Sequence, residues 1–390
     1  MKYDAEVIVI GAGPAGCAAA IPLVQAGHDV LVLERKATED GEDITSGELL
    51  APQTQFECAQ LGIDLSAAWL LDRVHGVRNV YPDLSWTYHA FPDGMSYVQV
   101  DRGGFNAALR TRLVEVGGRL VWGVRVSDVA IQPDAAVVRT TDGGEYTAPL
   151  LIDAGGRHSP ALRSLGLKSE DPEFSQIGVA VFFESFADTP LHTWDRHFYG
   201  HHGAMISGSR IRPGLYRYIL ETDLADKQAT RLKPVEFYES VAKQHDPWIC
   251  ERIMREPRIG DVWAMAPIGY RVAEVARDRL LLAGDAAGYL APLTGQGIEF
   301  AMRMGRLAAG AAQRAFAQRD FSAATFAAYV EGRADECGTA VTYLRHLLHH
   351  LRDRDALLRA ASDDDLRLQI FGPIAAVVSD RGSLLKECHQ

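Results

Sequence analysis

The chain of 390 residues has a formal net charge of -11, and 47% of its residues are hydrophobic and 23% are charged. This composition is that of a globular protein with one large core or two domains that share an interface. The acidic balance, without any Lys/Arg block, argues against nucleic acid as a partner, and no apolar run approaches the roughly 20 residues of a transmembrane helix.

Cysteine usage and the N-terminus bear on the cellular compartment. The sequence passes directly from MKYDAE into an apolar segment, so we expect no signal peptide. The five cysteines show no C-x-x-C spacing, which argues against a disulfide framework or a zinc site. They are Cys17, Cys58, Cys250, Cys337 and Cys388. We therefore predict a cytoplasmic protein that binds no metal.

The N-terminal segment predicts a strand, a tight turn and a helix. Residues 6–10 (EVIVI) are mostly apolar and β-branched, as a buried parallel strand requires. The G-x-G-x-x-G pattern that follows permits a tight turn, close approach of a pyrophosphate and close helix packing. Free N–H groups at the helix N-terminus favour phosphate binding. The candidate binding residues are Gly11, Gly13, Pro14, Ala15 and Gly16.

A second strand, HDVLVLE, follows the helix and ends in an acidic residue. Glu34 stands 18 residues after Gly16, and a carboxylate there can accept hydrogen bonds from a ribose. Arg35, the next residue, is a further candidate. The two strands, the helix and the acid together predict a Rossmann-like unit that binds a dinucleotide.

A similar strand–loop–helix pattern recurs roughly 270 residues later, where Gly284–Met302 read GDAAGYLAPLTGQGIEFAM. The two motifs, in this order, resemble FAD enzymes with the para-hydroxybenzoate hydroxylase fold. The resemblance implies that Asp285 bonds the ribitol chain of FAD and that the helix N-terminus faces the pyrimidine end of the flavin, where its dipole can stabilise negative charge. The implied contact residues are Gly284, Asp285, Pro292, Gly295, Gln296, Gly297 and Ile298.

Two further segments match this family. VQVDRGGFNAALRTRL resembles a helix whose arginine lies near the flavin chain, here Arg102, although a solvent-facing residue at a helix start is the alternative. PLLIDAGGRHSPALRSLG resembles a motif that serves FAD and NADPH. Its Asp-Gly pair is replaced by Gly155-Gly156, and Asp153 stands two residues earlier, as in flavin halogenases and geranylgeranyl reductases. This departure weakens the case for direct NADPH docking.

The resemblance and the residue patterns together predict an α/β fold with three parts. Segments such as QIGVAVFFESF, GLYRYILETDL and DVWAMAPIGYRV read as strands of an antiparallel sheet that covers the flavin. The C-terminal part has helical spacing, and His346, His349 and His350 favour a polar helix face over a metal site. The predicted division is 1–70, 98–165 and 278–330 for a Rossmann-like FAD-binding domain with a parallel sheet, 71–97 and 166–277 for a substrate domain, and 331–390 for a helical region.

Three reaction classes share this scaffold. Halogenases carry W-x-W-x-I-P, a spacing that the tryptophans of this chain do not have, although residues 46–52 (SGELLAP) are similar to a halogenase loop. Geranylgeranyl reductases share GDAAG and PLTG-x-GI, but they also carry a Cys-Gly-Gly loop near the flavin. In this chain Ser46 stands near the position of that cysteine, and the resemblance therefore puts Ser46 and Gly47 near the flavin. Monooxygenases frequently have the G-Q-G of residues 295–297. These features favour monooxygenation (hydroxylation or epoxidation through a flavin C4a-hydroperoxide), with C=C reduction as the alternative, ahead of halogenation or a non-enzymatic flavin-binding role.

The substrate side is predicted only in outline. The flavin carries the chemistry, so no nucleophilic side chain is required, and a small apolar or aromatic substrate is expected. His201, His202 and Ser46 are candidate acid–base residues, although the histidines could equally be exposed loop residues. A lid that excludes water could use aromatic residues, each of which could instead fill the sheet core. They are Phe182, Phe183, Phe198, Tyr199, Tyr216 and Tyr218.

The source of electrons is left open by the sequence. The only G-x-G-x-x-G is at residues 11–16, and FAD is expected to occupy it. NAD(P)H would therefore bind transiently in an open groove, or electrons would come from a separate flavin reductase or another redox partner.

Overall fold

The computed structural model describes residues 2–38, 49–65, 67–184, 192–201, 203–212, 214–255, 258–288 and 296–371. Strands and helices are numbered in chain order. Several candidate residues lie outside the described residues, namely Ser46, Gly47, His202, Pro292 and Gly295.

The N-terminal motif builds a mostly parallel sheet, with six strands in the described residues. In spatial order they are β20 (Ala276–Arg277), β21 (Leu280–Leu282), β12 (Leu150–Asp153), β1 (Val7–Ile10), β2 (Val30–Leu33) and β8 (Arg119–Val121). Only the β20–β21 pair is antiparallel. Every residue of β1, β2 and β12 is buried, which explains why these strands are apolar along their whole length.

A second large sheet, with seven described strands, is mostly antiparallel. In spatial order they are β18 (Trp263–Ile268), β14 (Gln176–Glu184), β17 (Leu215–Asp223), β16 (Met205–Arg212), β15 (Thr193–Phe198), β5 (Gly76–Val80) and β6 (Trp86–Ala90). The β15–β5 pair alone is parallel. The three segments predicted as strands in this part of the chain are therefore strands: they contain β14, β17 and β18.

Three smaller sheets complete the β-structure of the described residues. Their strands are β3 (Leu49–Leu50), β7 (Tyr97–Val100) and β4 (Leu70–Val74) in the first, β11 (Glu145–Ala148), β10 (Ala136–Thr140) and β9 (Val126–Ile131) in the second, and β13 (Lys168–Glu170) and β19 (Tyr270–Val272) in the third. The first of these sheets lies beside the seven-stranded sheet, because Tyr97 of β7 packs against Trp194 of β15.

The helices surround the two large sheets. They are α1 (Pro14–Gln25), α2 (Pro52–Leu61), α3 (Arg102–Glu115), α4 (Pro160–Ser164), α5 (Leu224–Thr230), α6 (Pro234–His245), α7 (Pro247–Arg255), α8 (Gly297–Gln318), α9 (Ala327–Leu351) and α10 (Arg354–Ala360), with 3₁₀ turns at Gly156–His158, Gly284–Ala287 and Ala323–Phe326. Helices α1 and α8 cross closely, since a Cβ atom on Gly305 would lie 2.2 Å from the Ala15 carbonyl oxygen. The predicted fold class, a Rossmann-like unit with an antiparallel sheet and a helical C-terminal part, is confirmed.

The seven-stranded sheet has two distinct faces, because side chains alternate along each strand. The outer face packs on α6 and α7, where Val179 and Val181 meet Phe237 and Tyr238. The inner face carries the alternate residues: Trp194 packs against Tyr97 of β7, and Phe198 and Met205 pack against α9 and α10. The next section shows why this inner face matters for the site.

Candidate active site

The turn between β1 and α1 leaves open space at a helix N-terminus. Gly13 is the N-cap, Pro14 is the first helical residue, and no described side chain caps this end. A Cβ atom on Gly16 would lie 1.8 Å from the Gly11 carbonyl oxygen, whereas one on Gly13 would meet nothing within 4 Å. Gly16 is therefore required for packing, and Gly13 borders room that a phosphate can fill. Gly11 has a φ of +92°, which only glycine adopts readily.

Glu34, just beyond β2, closes one side of this turn. Its carboxylate is buried and accepts hydrogen bonds from the backbone N–H groups of Ala12 (2.8 Å) and Lys36 (3.0 Å). Part of its role is thus to hold the glycine turn in shape. Arg35 is exposed, and its charge contributes to lowering the pKa of His158, after burial and two other cations.

The second motif brings a carboxylate to a cluster of cations. Asp285 lies half-buried in the 3₁₀ turn after β21. Burial raises its pKa to about 6, opposed by the charges of Arg102, Arg157 and Lys168. The hydroxyl of Tyr270 donates to the Asp285 carbonyl oxygen and fixes the backbone of the turn. Residues far apart in sequence therefore converge on one small region.

Each of these cations is positioned by its own contacts. Arg102 is the first residue of α3, and its Nε donates to Asn106 Oδ1 over 3.2 Å. The Arg157 guanidinium donates to the Ala266 carbonyl oxygen in β18 over 2.8 Å. Lys168 Nζ donates to the Arg157 carbonyl oxygen over 3.2 Å. Of the three, the sequence singled out only Arg102.

The Lys168 ammonium also lies 3.8 Å from the centroid of the Tyr270 ring, a cation–π geometry. Neither residue belongs to a motif, and they meet because β13 pairs with β19. Of the residues that the sequence analysis missed here, Arg157 alone carried a signal, as the residue directly after the unusual Gly155-Gly156 pair.

Asp153, a predicted cofactor contact, is hydrogen-bonded within its own loop. It is fully buried and accepts three hydrogen bonds, from the Gly155 N–H (2.8 Å), the Ser159 hydroxyl (2.7 Å) and the Ala161 N–H (2.8 Å). Burial raises its pKa and these bonds oppose the rise. The geometry gives Asp153 a positioning role: it shapes the loop that carries Arg157.

The start of α8 is the second helix N-terminus of the site. Gln296 is the N-cap, no described side chain caps the end, and Gly297 and Ile298 form the first turn. Glu299, also in this turn, is buried. The free N–H groups of this turn are suited to an electron-rich ring edge. The turn that carries Asp285 packs beside this helix, since a Cβ atom on Gly284 would lie 3.4 Å from the Ala301 side chain.

The inner face of the seven-stranded sheet lies opposite this helix start. Tyr97 of β7 is buried, which raises its pKa; the charge of Glu299 raises it further and that of Arg196 on β15 lowers it. Tyr97 therefore lies within electrostatic reach of both α8 and the sheet. Arg196 is itself buried, and its Nε donates to Asn79 Oδ1 over 3.1 Å.

Most of the aromatic side chains proposed as a lid point away from this side. A separate apolar cluster on the inner face contains Ala180, Phe182 and Ile219, with Trp263 packed against it. Four of the six aromatic candidates lie in the core beneath α6 instead, because neighbouring residues of a strand point to opposite faces. They are Phe183, Tyr199, Tyr216 and Tyr218. Phe198 is on the inner side but packs against the C-terminal helices.

The histidines also lie away from the inner face. His201 is exposed, and its ring lies 5.1 Å from that of His245 at the end of α6, on the outer side of the sheet. His346, His349 and His350 contact one another on α9. In the described part of the chain no group of His, Cys, Asp and Glu side chains is arranged to hold a metal.

Residues 4–308 match the model of the FAD binding domain family. The chain belongs to this family. Two open helix N-termini, a buried acid beside the glycine turn and a cation cluster near Asp285 fit the phosphates, ribose and ring of FAD. The protein is therefore an FAD-dependent oxidoreductase, and its membership in the suspected superfamily is confirmed.

The curated relatives include reductases and a halogenase: the 1H-pyrrole-2-carbonyl-[peptidyl-carrier protein] chlorinase of Pseudomonas fluorescens is 25% identical over 84% of this chain and 80% of that protein. The chain is 29% identical to menaquinone reductase of Mycolicibacterium smegmatis, over 79% of this chain and 76% of that protein. It is 26% identical to digeranylgeranylglycerophospholipid reductase of Methanocaldococcus jannaschii, over 93% of this chain and 88% of that protein. These last two relatives are reductases by name.

Solved structures agree on the fold. The flavin-dependent brominase Bmp2 has a TM-score of 0.81 with 20% identity, over 98% of this chain and 99% of that one. At this identity the likeness concerns the fold alone. Among the described helices none is long and apolar enough to cross a membrane.

Proposed function

We propose that this protein is an FAD-dependent reductase that saturates a C=C bond in a polyisoprenoid lipid. Menaquinone and digeranylgeranylglycerophospholipid, the molecules in the names of the two reductases, share one structural unit, the unsaturated isoprenoid chain. The structural observation that carries the proposal is the apolar cluster of Ala180, Phe182 and Ile219 on the inner face. An apolar wall opposite the start of α8 suits a hydrocarbon chain held against a flavin.

In this proposal the chain holds FAD in an extended pose. The pyrophosphate contacts the turn of residues 11–16, and Glu34 accepts hydrogen bonds from the ribose while it keeps the turn in shape. Asp285 binds the ribitol chain. The first turn of α8, from Gln296 to Ile298, contacts the ring, together with Pro292 and Gly295 of the same motif.

We propose the domain organisation that the sequence predicts. Residues 1–70, 98–165 and 278–330 hold the cofactor, and 71–97 with 166–277 hold the substrate, followed by the helical region 331–390. Arg157 and Lys168 add positive charge on the cofactor side, which supports binding of a diphosphate.

The reaction needs little from the side chains. FAD held at this site would, once reduced, supply the hydride equivalent for the double bond, and the balancing proton would originate from solvent outside the apolar face. The apolar inner face orients the chain and excludes water from the ring. Electrons come from NAD(P)H that binds transiently or from a partner reductase, since the sequence has no second G-x-G-x-x-G.

This proposal replaces the preference for monooxygenation drawn from the sequence. That preference depended on short loop motifs that several reaction classes share, whereas the two reductases cover most of the chain. Likeness to a brominase supports the fold only, and the W-x-W-x-I-P motif of halogenases is absent from the sequence.

A product analysis tests the proposal against its rivals. The holoenzyme is reduced with dithionite without oxygen and mixed with menaquinone or with a digeranylgeranyl lipid, and the product mass is measured. After any quinol has been reoxidised to the quinone in air, we expect a gain of two hydrogen atoms in the isoprenoid chain, absent in a control with reduced FAD and no protein. Parallel samples in air with chloride or bromide that gain an oxygen or a halogen atom, with no hydrogen gain in the anaerobic samples, would overturn it.

A further inference from the structure

The inner face has an acidic residue within its apolar stretch. Along β17 the inner positions are Arg217, Ile219 and Glu221, because Ile219 belongs to the inner cluster and side chains repeat every second residue. Glu221 is 3% exposed. It stands opposite Gly178 of β14 and opposite Met205 of β16. Glu221 therefore has no side chain beside it on the β14 side and the thioether of Met205 beside it on the β16 side.

A buried amide lies next to this acid. Gln176 is two residues before Gly178, on the same face of β14, and is completely buried. Diagonal neighbours of this kind are about 7–8 Å apart, within reach of long side chains. In the described residues, Glu221 Oε2 and both polar atoms of the Gln176 side chain are buried without a hydrogen-bond partner. Unsatisfied polar groups in a native interior need a specific explanation, and two side by side point to a ligand.

The surroundings favour the uncharged form of Glu221. A Cβ atom on Gly178 would lie 3.2 Å from Ile268 and 3.9 Å from the Trp263 ring, so the space above the acid is apolar. Burial raises the pKa of Glu221 to about 8, and the charge of Arg217 on the same strand opposes the rise.

A neighbouring carboxylate on the same strand face is already paired. Asp223, the next inner residue of β17, pairs with Arg352 of α9 over 2.8 Å. At neutral pH Glu221 therefore offers an O–H donor and an acceptor, and Gln176 offers amide donors and an acceptor.

We propose that Glu221 and Gln176 form a polar subsite on the inner face, beside the apolar wall proposed for the substrate, which binds an uncharged oxygen atom of the lipid, either a carbonyl or a hydroxyl. The proposal rests on the proposed function, since it takes the inner face as the substrate wall. A neutral acid and an amide match an uncharged oxygen, whereas a phosphate would require charged donors. The subsite would tell an oxygen-bearing isoprenoid from a plain hydrocarbon.

Probe pairs that differ only in oxygen test this subsite without turnover. Menadione is compared with 2-methylnaphthalene for the quinone carbonyl, and farnesol with farnesene for the hydroxyl. Binding to the oxidised holoenzyme is followed by quenching of tryptophan fluorescence. We expect at least one oxygen-bearing probe to bind at least about 10-fold tighter than its hydrocarbon partner, because a polar site rejects ligands that leave it unpaired. The pair that shows the preference identifies the oxygen.

Substitutions decide whether these two residues carry the preference. Glu221→Leu and Gln176→Leu are expected to reduce it to within about 2-fold, whereas Glu221→Gln, which still donates and accepts, retains most of it. Thr222→Val, a nearly isosteric change at the adjacent buried position that points to the outer face, serves as the control and leaves the preference intact.

Flavin content and thermal unfolding confirm that each variant is folded. An unchanged preference in both leucine variants, or no preference in the parent protein, would overturn the proposal. Because no reduction takes place, these outcomes are separate from the product analysis, and the subsite can fail while the reductase stands.

Discussion

Two buried carboxyl groups, one beside each large sheet, are treated in opposite ways. Asp153 ends β12 with no exposed surface and accepts three hydrogen bonds from its own loop. Glu221 on β17 is 3% exposed, and its buried Oε2 has no hydrogen-bond partner in the described structure. Burial raises the pKa of both. Two carboxyl groups that are buried to a similar extent therefore differ in the hydrogen bonds that they accept.

The difference separates structural polar groups from those kept for a ligand. A buried carboxylate whose oxygens are all occupied stabilises the loop around it, because breaking such a network leaves unpaired donors. A buried acid without partners lowers stability, and proteins accept that cost mainly at functional sites. By this criterion the loop after β12 is scaffold, which supports our proposal that the inner face of the seven-stranded sheet is the substrate site.

The largest effect is expected at Asp153. Asp153→Ala removes an acceptor of three hydrogen bonds and leaves their donors buried, so we expect the free energy of unfolding to fall by about 4 kcal/mol. Urea unfolding of the flavin-free protein measures this.

Asp320→Ala is the matched control for Asp153. Asp320 also accepts three hydrogen bonds, one from the Ser322 N–H, one from the Ser322 hydroxyl and one from the Thr325 hydroxyl, but all are exposed. Water can replace an exposed acceptor, so the loss should be much smaller. Equal losses in the two variants would show that burial does not explain the difference.

The next largest effect is expected at Gly13, where the Rossmann-like half leaves space at the start of α1. Gly13→Val adds a side chain where the structure leaves room and where we place the pyrophosphate. We expect FAD affinity to fall by at least about 3 kcal/mol, roughly a hundredfold or more, with little change in the stability of the flavin-free protein. Flavin titration and urea unfolding report the two quantities separately.

Gly16→Val gives the contrasting result, since its side chain would collide with the Gly11 backbone and should prevent stable folding. A Gly13→Val protein that purifies with a full complement of FAD would refute the placement of the pyrophosphate.

The Rossmann-like half was predictable because its residues meet local requirements. Gly11 needs a positive φ, and Gly16 needs to lie against the preceding turn. Such needs leave a pattern that can be read within a few residues. The cation cluster was not predictable in the same way, because Arg157 and Lys168 approach Asp285 only after β12, β13 and β21 come together.

The inner face was missed for a different reason. The sequence predicted the strand that became β17, but it did not reveal which of its two faces would meet the flavin side. Phe182 and Phe183 were therefore grouped together, although adjacent strand residues point to opposite faces. Charged residues at 217 and 221, on the same strand face as the apolar Ile219, were the signal that could have marked the site.

A smaller effect, of opposite sign, is expected for Glu221→Gln. The pKa of Glu221 is raised from 4.5 to about 8 in the folded protein. The unfolded chain therefore releases this proton first, and the favourable contribution present below about pH 4.5 is lost as the pH rises toward 8. The glutamine variant does not titrate here, so at pH 8 we expect it to be more stable by on the order of 2 kcal/mol.

The pH series supplies its own control for Glu221→Gln. Other groups titrate alike in both proteins, so only the difference between their unfolding free energies matters. That difference should grow from pH 5 to pH 8; a difference that stays constant would mean that Glu221 is not a strained acid.

The smallest effect is expected at Asp285, which lies between the two extremes. It is half-buried, with a pKa raised from 3.8 to about 6, so its favourable contribution below pH 3.8 is lost as the pH rises through 6. Asp285→Ala should therefore stabilise the flavin-free protein by about 1 kcal/mol at pH 7 and still weaken FAD binding.

Glu34→Ala should have the opposite effect on stability, because that carboxylate accepts hydrogen bonds from two backbone N–H groups at the glycine turn. We expect it to lower stability and to weaken FAD binding less than Asp285→Ala does, since Asp285 is placed nearer the ring. Flavin titration and urea unfolding of both variants at pH 7 check this pairing, and it fails if Asp285→Ala destabilises the flavin-free protein as much as Glu34→Ala.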